Sequence, residues 1–270
     1  MRVADTAGAR DRLQGPFRTP RHLAGEVQGS IHMDQFVPLI LQAYGARWFE
    51  GGNLSLQFKK ASAENEAVRA ELIPGAERAR LSLSTQALDL ICEGTAADHA
   101  DAGSELARVL LTQEAAPREG LRILAGVQAG DEAFDIPLSV SLQALAERRA
   151  EITEPLDIYG GADAVLPPSL VVDLAHGARS AVLGAVQGLD ERLAGGLACA
   201  VEIQFLEGPL RAGVDYVGRT RVHALTETAQ AETVWYDVLI ADPARGRDQA
   251  RLTFGLRFLK AASPLRTDAA

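Results

Sequence analysis

Cysteine is scarce in this chain, which contains two cysteines among its 270 residues. Cys92 and Cys199 each lie inside an apolar segment, so the sequence predicts two reduced core thiols and neither a disulfide nor a zinc site. Aromatic residues make up only 5% of the chain, whereas hydrophobic residues make up 47% and charged residues 23%. This balance is typical of a globular protein with enough apolar surface for its own core. We therefore expect a fold that requires no metal ion and no cofactor.

The chain also lacks an excess of positive charge and any long apolar run. Its formal net charge is −9, so its average surface repels nucleic acid phosphates and anionic membranes. No segment reaches the length of a membrane span, and residues 1–21 have no apolar core typical of a secretory signal. We expect a cytoplasmic protein without a nucleic acid or membrane partner. A local basic patch for an anion stays open, with the candidates Arg47, Lys59, Lys60, Arg211 and Arg219.

The first half of the chain predicts a helix followed by an antiparallel sheet. Apolar residues at helical spacing predict a helix over 33–44 that Asp34 caps and that tolerates Pro38 near its start. After a pair of glycines, alternating apolar and polar residues predict four strands, over 54–58, 68–73, 79–87 and 88–96. A short helix around 104–111 comes next. The mixed stretch over 121–150 is interpreted as a connection, to which 121–127 and 136–142 could each add a strand.

The second half repeats this order. An apolar helical face predicts a second helix from Ser169, its N-cap, to about Gly188. Four strands follow, over 197–205, 214–225, 233–241 and 250–260. The tripeptides Leu56-Gln57-Phe58 and Ile203-Gln204-Phe205 occupy the same place in the two halves, which indicates two copies of one domain. The predicted class is α+β, with an N-terminal unit over 1–120, the connection over 121–150 and a C-terminal unit over 151–265.

This order resembles the double hotdog proteins related to MaoC-type enoyl-CoA hydratases, in which two tandem units each wrap a curved antiparallel sheet around a long helix. Two local sequences carry the resemblance, Gly29-Ser30-Ile31-His32-Met33-Asp34-Gln35-Phe36 and Phe205-Leu206-Glu207-Gly208-Pro209-Leu210-Arg211-Ala212-Gly213-Val214. The resemblance covers about 23–97 and 165–260. It implies a double hotdog fold and an acyl thioester substrate carried by coenzyme A or an acyl carrier protein.

The Asp, Asn and His that such hydratases carry before a hotdog helix have no counterpart in either half. The segment His22-Leu23-Ala24-Gly25 is similar to the opening of the β-hydroxyacyl-ACP dehydratases, whose acidic partner has the place of Asp34. The segment 168–176 is similar to the second helix of polyketide dehydratases, although His176 follows Asp173 by three positions instead of four. These similarities imply acid–base chemistry by residues chosen from His22, His32, Asp34, Asp173 and His176.

Dehydration of a β-hydroxyacyl thioester needs a base for the α proton and an acid for the leaving hydroxyl, and a His and an Asp can supply both. A simpler interpretation is that Asp34 caps its helix while His32 packs beside it. Tyr159, Gly160 and Gly161 are candidate substrate-binding residues, since glycine lets backbone amides approach a thioester oxygen closely. Paired glycines are equally typical of an ordinary turn. The charge cluster over 147–151 is interpreted as a solvated helix end.

The leading hypothesis from the sequence is a lyase, namely a hydratase or dehydratase of an acyl thioester bound to coenzyme A or a carrier protein. One alternative is an acyl-CoA thioesterase in which a single carboxylate, Asp34 or Asp173, activates water. The other alternative is a non-catalytic hotdog protein that binds an acyl group or another hydrophobic ligand. The sequence leaves open whether the protein is a monomer or a homodimer.

Overall fold

The computed structural model describes residues 3–5, 27–113, 121–152, 156–179, 181 and 196–260. Within these ranges the chain forms one antiparallel sheet packed against helices. The strands are β1 (Val3–Asp5), β2 (Asn53–Phe58), β3 (Ala67–Ile73), β4 (Ala79–Thr85), β5 (Leu90–Ala97), β6 (Glu132–Ser139), β7 (Gly196–Phe205), β8 (Asp215–Glu227), β9 (Ala231–Asp242) and β10 (Arg247–Leu259). The helices are α1 (Gly29–Asp34), α2 (Val37–Tyr44), α3 (Trp48–Gly51), α4 (Glu105–Leu111), α5 (Leu142–Glu151) and α6 (Pro168–His176).

The strand order of the second half is the reverse of that of the first half. It runs β1-β3-β4-β5-β2 through the first half and continues β7-β10-β9-β8-β6 through the second. In each half an outer strand comes first in sequence, then a helix, then four strands of which the first lies at the centre. The α+β architecture predicted from the two helix-and-strand runs is therefore confirmed.

The central pair of strands joins the two halves. In the antiparallel β2–β7 pair, Asn53 lies opposite Gln204 and Gln57 lies opposite Ala200. The register is therefore symmetric about the pair Ser55 and Glu202, as expected for two equivalent strands related by a two-fold axis. Asn53 also donates a side-chain hydrogen bond of 3.2 Å to Gln204 across this seam.

The first predicted helix is broken in two, which corrects the expectation of one helix over 33–44. Pro38 has no N–H to donate to the carbonyl four residues earlier, on Asp34, so α1 ends there. The chain then turns at Gln35 and Phe36 before α2 begins with Val37 and Pro38. Asp34 is thus the last residue of α1 and not an N-cap.

The second helix has its N-cap two residues earlier than the sequence indicates. Its N-cap is Pro167, and Ser169 is the second residue of α6, so the expectation that Ser169 caps its own helix is wrong. The expectation of one helix to Gly188 is also wrong, because α6 ends at His176 and Gly177 and Ala178 form a turn. Residues 180 and 182–188 lie outside the described residues. The connection 121–150 contains a strand and a helix: β6 pairs with β8, while 121–127 forms turns. The division into units at 120 and 151 stays a prediction.

The core lies between the helices and one face of the sheet. Apolar side chains from α1, α2 and α6 pack on inward-facing residues of the central strands in one continuous cluster, which includes Met33, Ile40, Leu54, Val171, Ile203 and Phe254. On the opposite face a smaller cluster lies beneath α4, formed by Leu106, Cys199, Ala200 and Trp235. Both cysteines are buried and unpaired, as predicted. Among the described helices, none is long and apolar enough to cross a membrane.

Candidate functional site

A carboxylate from the first half meets the start of the helix of the second half. Asp34, at the end of α1, accepts a 2.8 Å hydrogen bond from the backbone N–H of Ser169 and one of 2.5 Å from its hydroxyl. The first N–H groups of a helix have no partner within the helix. A negative charge is favoured there by the helix dipole. Asp34 therefore supplies to α6 the capping interaction that Pro167 cannot make.

Burial gives this carboxyl an unusual protonation equilibrium. Removal from water raises the pKa of Asp34 from 3.8 to about 6, although the two hydrogen bonds from Ser169 and the nearby Arg148 favour the charged form. The neighbouring Asp173 raises the pKa further by charge repulsion. A carboxyl with a pKa of about 6 can exchange a proton near neutral pH.

A second carboxylate lies on the same side of α6. Ser169 and Asp173 are four residues apart, which places their side chains one turn from each other on one helix face. Asp173 accepts a hydrogen bond of 3.4 Å from the guanidinium of Arg148. Burial raises the pKa of Asp173 to about 6, while Arg148 opposes that rise and Glu151 adds to it. Asp34 and Asp173 thus form a pair of half-buried carboxyl groups beside α6, and the charge of Asp173 disfavours the charged form of Asp34.

Arg148 corrects the expectation that 147–151 is a solvated helix end. The side chain of Arg148 is only 6% exposed and forms ion pairs of 3.3 Å with Glu151 and 3.4 Å with Asp173. Its Nε atom is buried without a hydrogen-bond partner among the described residues. The polar sequence of α5 gives no sign of this burial, because charged residues on short helices usually face water.

Tyr159 presents a second buried donor near the carboxylates. It ends the short 3₁₀ turn Asp157–Tyr159 that precedes α6, and its ring packs edge-on against Phe49 at 6.4 Å between centroids. The residue is 3% exposed, and its hydroxyl has no hydrogen-bond partner among the described residues. Burial, with the nearby Asp34, raises the pKa of Tyr159 well above 10.0, so the hydroxyl keeps its proton and can donate it in a hydrogen bond.

The two glycines after Tyr159 have different environments. The N–H of Gly160 already donates a 2.9 Å hydrogen bond to the carbonyl of Asp157, so the expectation that this amide faces a ligand is wrong. Gly161 is exposed and has a φ of +82°, a value that glycine adopts at little cost. The pair therefore forms a turn, and Tyr159 is the member of the predicted substrate-binding group whose donor is available.

His32 is held within α1, which corrects the expectation that it precedes the helix and moves freely. It is 2% exposed, and its two ring nitrogens lie 2.8 Å from the Ser62 hydroxyl and 3.4 Å from the Gln35 side-chain oxygen. Burial lowers the pKa of His32 to about 4. His32 and Asp34 point to different partners, so the structure does not bring together this predicted acid–base pair.

His176 lies at the other end of α6 from Ser169. Its ring is 5.4 Å from the ring of Phe254, and among the described residues no hydrogen bond joins it to Asp173. Burial, with the charge of Arg179, lowers the pKa of His176 to about 4, so the imidazole is neutral near pH 7. His22 lies outside the described residues.

Each of the five basic side chains proposed for an anion patch forms an ion pair with an acidic neighbour. Their ion pairs are Arg47–Asp98, Lys59–Glu93, Lys60–Asp89, Arg211–Asp163 and Arg219–Asp248. Within the described ranges, no group of three or more His, Cys, Asp and Glu residues could hold a metal ion.

Comparison with solved structures identifies the class of fold. No protein-family model matches the chain, and no curated protein matches its sequence. A conserved hypothetical protein of Mycobacterium tuberculosis, described as having a double hotdog fold, aligns with 87% of this chain and 82% of its own at 11% identity and a TM-score of 0.53. The chain therefore has the double hotdog fold that its sequence predicts.

Two further solved structures share this fold. The dehydratase domain of PpsC from Mycobacterium tuberculosis, in complex with C12:1-CoA, aligns over 87% of this chain and 85% of its own, with 14% identity and a TM-score of 0.52. The dehydratase domain from the CurJ module of curacin polyketide synthase aligns over 87% of both chains, with 12% identity and a TM-score of 0.51.

Proposed function

We propose that the protein is a hydratase or dehydratase that acts on an acyl thioester through Asp34 and Asp173. The observation that carries this proposal is the pair of half-buried carboxyl groups on one side of α6, each with a pKa raised to about 6. The double hotdog fold supports the substrate class, because two solved proteins of this fold are dehydratase domains and one of them holds an acyl-CoA.

The carboxyl pair fits the proton demands of this reaction. Because both carboxyl groups titrate near pH 6, states in which the two groups together hold one proton are populated around that pH. One member can then act as a base while the other acts as an acid. Asp173 is assigned as the base, since it has a full positive countercharge in Arg148, whereas Asp34 accepts only from the neutral donors of Ser169.

In dehydration, ionised Asp173 takes the proton from the α carbon of a β-hydroxyacyl thioester, and the electrons of that C–H bond form the double bond. The β carbon–oxygen bond breaks as protonated Asp34 gives its proton to the departing hydroxyl, which leaves as water. Hydration of an enoyl thioester follows the same steps in reverse. Tyr159 donates a hydrogen bond to the thioester carbonyl oxygen, which stabilises the negative charge that develops there.

A second assignment gives the role of base to His176. Its imidazole is neutral near pH 7 because burial and Arg179 lower its pKa to about 4, and it is three residues from Asp173 on α6. Under this assignment His176→Gln abolishes turnover. If Asp173 is the base, His176→Gln retains most of the activity, so this variant distinguishes the two assignments.

Thioester hydrolysis is the alternative function. The side chain of Asp173 is 19% exposed, which leaves room for water beside an ionised carboxylate. A single carboxylate can activate such a water for attack on the thioester carbonyl. The substrate carrier, a cytoplasmic location and assembly as a homodimer stay predictions from the sequence.

The test is an assay of the pure protein with enoyl-, β-hydroxyacyl- and saturated acyl-CoAs, in which enoyl absorbance and free thiol are followed together. Interconversion of enoyl and β-hydroxyacyl thioesters without thiol release supports the proposal. Thiol release supports the thioesterase. If neither enoyl absorbance nor free thiol changes, while acyl-CoA raises the melting temperature, the result supports a binding protein and contradicts both reactions.

Two substitutions connect the activity to the site. Asp34→Asn and Asp173→Asn each keep the shape of the side chain but remove its proton exchange, so each should lower kcat by about 100-fold or more. The matched control is Asp101→Asn, because Asp101 is another buried acid whose ion pair with Arg78 lies elsewhere, 2.7 Å between atoms. Equal losses in all three variants would point to general destabilisation and contradict the assignment.

A further inference from the structure

The guanidinium of Arg148 is the one described positive group that both members of the carboxyl pair have in common. It forms the 3.4 Å ion pair with Asp173 and favours the charged form of Asp34. The groups that face this cluster are Arg148 and Glu151 from α5, Asp34 from α1, Asp173 from α6 and Tyr159 from the preceding turn. Three carboxyl groups thus face the guanidinium of Arg148 in the described part of the chain.

The placement of Arg148 is costly unless the charge is needed. The side chain is 6% exposed, and its Nε atom has no partner among the described residues. Burial of a cation is unfavourable, and an unsatisfied buried donor adds to the cost. An apolar residue of similar size would fill the same volume without either cost. This cost suggests that the charge serves the carboxyl groups more than it serves stability.

We propose that Arg148 is a positioning residue, which fixes the Asp173 carboxylate against α5 and keeps it ionised while the proton of the pair stays on Asp34. The inference rests on the proposed function for its catalytic consequence, but the control of protonation is independent of any substrate. Removal of the guanidinium leaves Asp173 facing the carboxyl groups of Glu151 and Asp34 among the described residues, and both repel its negative charge.

The experiment is an NMR titration of the aspartate side-chain carboxyl carbons in the full chain without substrate. In Arg148→Gln, the midpoint for Asp173 should rise by about 1 pH unit or more, because a countercharge at ion-pair distance commonly lowers a carboxyl pKa by 1 to 3 units. The midpoint for Asp34 should rise less. Arg148→Lys keeps the charge and should restore most of the original midpoint.

The matched control is the neighbouring Arg149→Gln. Arg149 is exposed and forms no ion pair with another described residue, and its guanidinium lies over the backbone of Gly160. This variant should leave both aspartate midpoints unchanged. A folded Arg148→Gln protein with an unchanged Asp173 midpoint would overturn the proposal, as would equal shifts in both glutamine variants.

A second measurement needs no variant and covers the case in which Arg148→Gln does not fold. In the wild-type protein the side-chain nitrogen signals of Arg148 should move with pH at the same midpoint as the Asp173 carboxyl. Signals that stay constant through that midpoint would contradict the proposal. If the titrations behave as expected but no thioester reacts, the proposed function fails while the role of Arg148 in protonation stands.

Discussion

The two halves of the sheet have the same order of elements but different proportions. Strands β3, β4 and β5 contain 7, 7 and 8 residues, whereas β8, β9 and β10 contain 13, 12 and 13. The first helical segment of the first half ends at Asp34, ahead of Pro38, and that of the second half ends at His176, where Gly177 and Ala178 form a turn. The end of α1 at Asp34 allows this side chain to reach α6. Helix α6 places Asp173 on the same side. Each half thus contributes one carboxyl group.

The histidines of the two halves, His32 and His176, also differ in their contacts. His32 in the first half is fixed by Ser62 and Gln35, whereas His176 in the second half has a ring contact with Phe254 and no hydrogen bond to another described residue. Both have a pKa lowered to about 4 by burial. The side chains of Ser62 and Gln35 engage both ring nitrogens of His32, whereas those of His176 have no described hydrogen-bond partner. A catalytic role for either histidine stays a prediction.

The largest expected effect comes from breaking the seam between the halves. Phe205, 1% exposed, packs on Trp48 and Phe49 of the first half at 5.3 and 5.7 Å between centroids. Phe205→Ala should lower the free energy of unfolding by about 3–5 kcal/mol, because it leaves a large cavity. Urea unfolding measures this. Phe134→Ala, at a site 59% exposed, is the control, and an equal loss there would contradict the account.

The second expected effect is a pH dependence of stability that comes from His32. The folded-state pKa of His32 lies below its ordinary value of 6.5, so between pH 6.5 and 4 the unfolded chain binds a proton that the folded protein excludes. Stability is therefore lost as the pH falls through this window. His32→Gln should gain about 2–3 kcal/mol relative to wild type between pH 7 and pH 4. At pH 8 the imidazole is neutral in both the folded and the unfolded chain, so the difference in stability between His32→Gln and wild type at that pH measures the change in packing alone. A pH-independent difference would contradict the burial of a neutral imidazole.

A smaller effect tests the contact between α1 and α6. Ser169→Ala removes the hydroxyl bond to Asp34 but keeps the backbone bond. We expect a loss of about 1.5 kcal/mol, the usual worth of a hydrogen bond to a charged group, and a further rise in the pKa of Asp34. Thermal unfolding and carboxyl NMR measure the two effects. Ser84→Ala on β4 is the control and should change stability by less than about 0.5 kcal/mol. An unchanged Asp34 titration in Ser169→Ala would exclude the contact.

The smallest effect concerns the helix break itself. Pro38 occupies the second position of α2, where proline fits the backbone. Pro38→Ala should lower stability by about 0.4–1 kcal/mol, because the unfolded chain gains conformational freedom. Calorimetry measures the change. An increase in stability would mean that α1 and α2 join into one helix when proline is removed.

The sequence predicts the sheet well and the site only in part. Strands such as β2 and β8 show alternation of apolar and polar residues, which is a local signal. Asp34 and Ser169 are 135 positions apart, and no local pattern indicates that one carboxylate caps the helix of the other half. Arg148 lies in a helix whose composition is typical of a solvated surface, so only the packing of α5 against α6 reveals its ion pair with Asp173.

The most direct test of the carboxyl pair is the pH dependence of kcat/KM for the enoyl-CoA that the protein hydrates best, measured from pH 4 to 8. A pair that shares one proton requires one ionised and one protonated member, so the account predicts a bell-shaped profile with its maximum near pH 6. The alkaline limb of this profile reports the loss of the proton from Asp34. We therefore expect Asp34→Asn to abolish the activity, and not to leave an active enzyme that lacks the alkaline limb. A profile that rises through a single ionisation and stays level to pH 8 would contradict the shared proton.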